Sequence, residues 1–160
     1  MSAGAAAAIV STHSENPSGT AGDGKTGRTD SQDIHAEVID TEAKTPLPPG
    51  ATWDPIAEST TEKIDGKNVP VNYARGMFVN IVQGQAQCKW YRYYQTGVMG
   101  HDQLKVRAAA KVIATMPDWE MTGNFAEGNP GRDILAKIVR DTQAGKASPE
   151  LNQHVLANCD

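Results

Sequence analysis

The sequence predicts an all-α fold, a small four-helix domain over residues 51–160 with a short β-hairpin or extended arm before it, behind a disordered acidic leader rich in Pro, Gly and Ser over residues 1–50. Three observations carry this expectation. Apolar residues beyond about position 71 recur at three- and four-residue steps, the period of helices with one buried face. Two of those segments open on a capping residue followed by proline, Asn129-Pro130 and Ser148-Pro149. Residues 11–50, by contrast, are dominated by Ser, Thr, Gly, Asp and Pro with no apolar period, a composition that cannot offset the entropy of ordering.

The leader also holds the charge. Glu15, Asp23, Asp30, Asp33, Glu37, Asp40 and Glu42 stand against Lys25, Arg28 and Lys44, which accounts for the whole net charge of -4 and leaves residues 51–160 neutral. A neutral domain behind an acidic leader lacks the basic face that nucleic acid or an anionic membrane surface requires. No nucleic-acid partner is therefore expected. Membrane contact would come only through an anchor absent from this chain. Residues 3–10 (AGAAAAIV) read equally as the trimmed end of such an anchor or signal and as a small-residue tail. Thr45-Pro46-Leu47-Pro48-Pro49-Gly50 stiffens the approach to the domain, and Trp53 is the first residue expected to pack.

Asp65-Gly66 is the pair a two-residue hairpin prefers, with 60–64 and 67–71 as strands; Pro70 weakens the second, so a plain loop is also admissible. The first long helix is expected over 71–94. Its buried stripe runs through Met77, Ile81, Gly84, Cys88 and Tyr91, widened by Phe78, Val82 and Gln85, with Gly84 marking a close crossing. Gly97 and Gly100 end it. The second helix has Asp102 as N-cap and runs from Leu104 to Met116, where Pro117 stops it. Its stripe is Leu104, Ala108, Val112 and Met116, with Ile113 and Ala109 beside them. Residues 118–129 are irregular, with Trp119 and Phe125 turned back on the core. The third helix starts at Asn129-Pro130, buries Ile134, Leu135, Ile138 and Val139, and stops at Gly145. The fourth starts at Ser148-Pro149-Glu150 and aligns Leu151, Val155 and Cys159, leaving His154 on the opposite side.

No local motif for chemistry emerges. The histidines, His13, His35, His101 and His154, show no ligand spacing with one another or with a cysteine, so neither a metal nor another cofactor is expected. There is no nucleophile elbow, no P-loop, and the carboxylates Asp118 and Glu120 sit in a turn, so no catalytic residue is assigned. Cys88 and Cys159 fit one disulfide, with two buried free thiols as the alternative; closing that loop would contribute roughly 4 kcal/mol in the chain-entropy model.

Cys88 to Tyr94 (CKWYRYY) concentrates four of the chain's nine aromatic residues. A helix spreads them around most of its circumference, so they cannot all face one core. They either pack under flanking loops or form a docking surface, with Trp90 and Tyr94 as anchors and Arg92 and Lys89 at the margin.

The acidic linker, Pro48-Pro49-Gly50 ahead of an aromatic residue, the Cys88-Lys89-Trp90-Tyr91 helix, Pro117-Asp118-Trp119 and the closing Ala157-Asn158-Cys159 together resemble uncharacterised small membrane-anchored extracytoplasmic proteins of high-GC Gram-positive bacteria. The resemblance covers roughly residues 45–160 and implies location and architecture, not activity. The function expected is a noncatalytic extracytoplasmic interaction module on a flexible tether, docking a protein through an aromatic helix flank. The alternatives are an enzyme assembled from distant residues and a cytoplasmic adaptor with free thiols.

Overall fold

A computed structural model describes residues 31–58, 61–70, 73, 76–123 and 128–159. Among the described residues the architecture is all-α apart from one hairpin. In chain order it comprises α1 (Ser31–Lys44), β1 (Thr61–Ile64), β2 (Lys67–Pro70), α2 (Met77–Met99), α3 (Gln103–Ile113), a 3-10 turn (Met116–Asp118), α4 (Glu120–Gly123), α5 (Pro130–Gln143) and α6 (Pro149–Asn158).

α1 corrects the expected leader. Residues 31–44 are helical and belong to the domain, whose boundary therefore lies before residue 51. Ile34, Val38, Thr41 and Thr45, at helical spacing, are all buried. Two aliphatic residues suffice because Ile34 and Val38 close a small core with Phe78 and Val82 of α2, flanked by Trp53, Ile56, Tyr73 and Met77. Thr41 satisfies its hydroxyl by donating to the Glu37 carbonyl at 2.7 Å, so its burial leaves no orphaned group. The expectation of disorder over residues 1–30 lies outside the described residues.

The hairpin forms as the Asp-Gly pair demands. β1 and β2 pair antiparallel with Ile64 opposite Lys67, and Asp65 (φ 50°) and Gly66 (φ 76°) both take the positive φ of a type I′ turn.

α2 is the spine, and its buried side is broader than the predicted stripe and turned from it. Phe78, Val79, Val82, Ala86, Gln87, Trp90, Tyr91, Tyr94 and Gly97 are buried, whereas Ile81 keeps 37% of its surface exposed. The reason is geometric: α1, α3 and α6 pack on α2 from different directions, so no single stripe describes it. The close crossing lies at Gly97, not Gly84. A Cβ on Gly97 would meet the Lys105 Cβ at 2.9 Å and the Val106 backbone nitrogen at 3.1 Å, while one on Gly84 would meet nothing within 4 Å. α2 runs through Gly97 and closes on Gly100, whose N–H donates to the Thr96 carbonyl at 2.9 Å.

Asp102 caps α3 as expected, accepting from the backbone N–H of Leu104 and Lys105 at 3.1 Å each. The buried stripe is nevertheless Val106, Ala109 and Ile113, continued by Met116, and Leu104 is 80% exposed. Apolar residues surround this helix on nearly every side, so periodicity alone leaves its phase open. After Pro117 the chain makes the 3-10 turn and α4, with Trp119 partly buried; Phe125 falls outside the described residues. Asn129 caps α5 by accepting from Gly131 N–H at 2.8 Å, and Ser148 caps α6 by accepting from Leu151 N–H at 3.4 Å. Leu135 and Ile138 of α5 and Leu151 of α6 complete the main core with Trp90, Tyr91, Tyr94, Val106, Ala109, Ile113 and Met116. Ile134, expected inside, is 43% exposed, and Val139 is only partly buried.

Candidate functional site

The aromatic run of α2 is core. Trp90 is 5% and Tyr94 1% exposed, so the docking surface expected to centre on them is overturned. Trp90 is covered by the arm that follows α1, where its indole N–H donates to the Pro46 carbonyl at 2.8 Å, and it meets Tyr93 edge-on at 5.7 Å. The Tyr94 hydroxyl donates to the Lys146 carbonyl at 2.7 Å in the link between α5 and α6. Burial and the nearby Asp141 carboxylate raise its pKa. Both polar atoms thus find backbone acceptors, the condition for burying them. Lys89 and Arg92 do not frame a docking patch either. Lys89 pairs with Asp54 at 2.7 Å, and Arg92 donates to the Cys159 carbonyl, so both tie other segments to α2.

Cys88 and Cys159 lie at disulfide distance, with sulfurs 2.06 Å and Cα atoms 5.4 Å apart. They join the middle of α2 to the end of α6. Such a pair is consistent with an oxidising compartment, and no described helix is long and apolar enough to cross a membrane. Cys88 and Cys159 also line a surface hollow of about 370 Å³ that includes Ile81, Gly84, Lys89 and Arg92.

His154 stands beside this pair, contrary to its expected outward placement. Its ring meets Tyr91 edge-on at 5.4 Å, and burial lowers its pKa, favouring the neutral imidazole. The ligand atoms of Cys88, His154 and Cys159 all lie within 4.8 Å of one another. Tyr91 itself is buried beside His154, its hydroxyl accepting from Gln87 at 3.1 Å and its pKa raised by burial. Sequence spacing contained the signal, because His154 follows Leu151 by three residues and therefore shares the core-facing side of α6.

A more apolar recess lies elsewhere. The C-terminal half of α2, α6 and the link before α6 form a groove of about 430 Å³ lined by Val98, Met99, Ala147, Val155 and Leu156, with Gln95 and Asn152 joined across one side by a 2.8 Å hydrogen bond. Met99 is 75% and Leu156 80% exposed there. A third hollow of about 300 Å³ lies between α1, α2 and Trp119 and takes in Glu37, one of whose carboxylate oxygens is enclosed with no hydrogen-bond partner among the described residues.

Comparison with protein-family models, with curated proteins and with solved structures finds no match.

Proposed function

We propose that this chain is a noncatalytic extracytoplasmic interaction module that receives an apolar helical segment of a protein partner in the groove between α2 and α6. The supporting observation is the pair Met99 and Leu156, two large apolar side chains left 75% and 80% exposed in a recess that Val98, Ala147 and Val155 also line. Burying each of them would contribute on the order of 2 kcal/mol, and a trough between two helices suits a third helix presenting residues at three- and four-residue steps. The cysteine pair supports the compartment, since disulfides persist where the surroundings oxidise.

The test uses a photo-crosslinking residue at Leu156 in the full chain produced in its native cell, with the same residue at Leu104 of α3 as control. Both positions are 80% exposed, so they differ in location and not in access. A discrete adduct at Leu156, absent from Leu104 and lost on Met99→Asp, is the expected outcome. Equal labelling at the two positions, or no adduct at either, overturns the reading. Rapid alkylation of both cysteines in acid-quenched cells would overturn the compartment.

A further inference from the structure

We propose that, when the Cys88–Cys159 bond is reduced, the two cysteine sulfurs and the His154 imidazole bind a thiophilic d10 cation of the Zn2+ class. This site is independent of the groove between α2 and α6. The three ligand atoms lie within 4.8 Å of one another with the two sulfurs bonded, and tetrahedral zinc, with bonds of about 2.3 Å to sulfur and 2.0–2.1 Å to imidazole nitrogen, needs them roughly 3.5–3.8 Å apart, so the sulfurs must part once reduced. Two sulfurs and one imidazole match the ligand softness of that ion, and three protein ligands leave a fourth position open. The hollow that Cys88 and Cys159 line gives the ion a route from solvent. Its ammonium, Lys89, is held by Asp54 at 2.7 Å.

Contacts other than the disulfide also hold the scaffold that presents these groups. α6 stays on α2 and α5 through Leu151, 1% exposed in the main core, through the Gln95–Asn152 hydrogen bond at 2.8 Å, and through the edge-on contact of His154 with Tyr91 at 5.4 Å. The exchange balances with a dithiol as reductant. Its two thiols become a disulfide, the protein's S–S bond becomes two thiols, and the incoming M2+ displaces two protons as it bonds both sulfurs.

The experiment uses the full chain, reduced with a phosphine, desalted under anaerobic conditions and titrated with Co2+ as a spectroscopic probe, followed by competition with Zn2+. The expected result is thiolate-to-cobalt charge transfer at one ion per reduced chain, none in the oxidised chain, and a rise in Tm with Zn2+ for the reduced form alone. Losing an outer-sphere partner of a metal site costs roughly 10- to 100-fold in affinity, so His154→Ala, which removes a direct ligand, should weaken binding at least tenfold. His101→Asn, on the turn between α2 and α3, should bind like the parent. The proposal is overturned if the reduced chain gives no thiolate band, if His154→Ala binds as tightly as the parent, or if the band appears only after far-UV circular dichroism shows the helices lost.

Discussion

Replacing Trp90 by alanine would remove the largest side chain of the main core and the indole that closes the arm after α1 onto α2. Trp90 is 5% exposed, donates to the Pro46 carbonyl at 2.8 Å and packs edge-on against Tyr93 at 5.7 Å. Truncating a buried tryptophan costs about 3–5 kcal/mol, and the Pro46 carbonyl loses its donor as well. Against a total stability of about 5–15 kcal/mol, a loss near 4 kcal/mol leaves a marginal protein and lowers Tm by on the order of 15 °C. Trp90→Phe separates the two contributions, keeping an aromatic body while deleting the donor, and should cost less than half as much. The assay is urea unfolding of parent and both variants, followed by circular dichroism. A Trp90→Ala variant within 1 kcal/mol of the parent would refute the burial argument and restore Trp90 as a surface anchor.

Ile34→Ala should destabilise by about 2–5 kcal/mol in the same assay, because Ile34 is fully buried; an unchanged midpoint would return residues 31–44 to the disordered leader. The two glycines of α2 should respond with opposite signs. Gly84→Ala gains up to about 1 kcal/mol of helix propensity in open space, whereas at Gly97 the same gain is outweighed by about 1–3 kcal/mol of overpacking against α3, and equal shifts would contradict the crossing. Acid should also find the His154 contact. Its folded pKa lies below the ordinary histidine value of 6.5, so the unfolded chain binds the extra proton first. Stability is full above that pH and falls as the pH is lowered through the window between the unfolded and folded pKa values. His154→Gln should flatten that slope; a parent and variant with superimposable stability from pH 7 to 5 would refute it.

What the sequence made legible was local. Asp102, Asn129 and Ser148 cap helices through bonds to backbone N–H groups two or three residues on, and Asp65-Gly66 makes its turn from its own dihedral preferences. The pairing of Cys88 with Cys159 followed from there being two cysteines on apolar stripes. What depends on neighbours in space was not legible. The buried apolar residues of α1 are Ile34 and Val38, too weak a pattern to outweigh its acidic composition until α2 is there to receive it. The phase of α3 was ambiguous because its alanines permit several faces. The aromatic run admitted both packing under flanking loops and a docking surface centred on Trp90 and Tyr94, and what covers Trp90 is the arm at Pro46, 44 residues away. Of the candidate site, Cys88 and Cys159 were legible and His154 was misplaced. The groove at Met99 and Leu156 left no signal, since isolated apolar residues near helix ends are commonplace.

The two separate cores along α2 have a consequence for the order in which the chain matures during synthesis. Contacts between α2 and α3 join residues close in sequence, and such short-range pairings form early. α1 is made before α2, yet Ile34 and Val38 have nothing to rest on until Phe78 and Val82 have been added and coiled into a helix. The first of the described helices to be synthesised is thus a late one to settle. In the interval its acidic residues, Asp33, Glu37, Asp40 and Glu42, favour solubility of a nascent segment that carries the bare aliphatic side chains of Ile34, Val38 and Ile39.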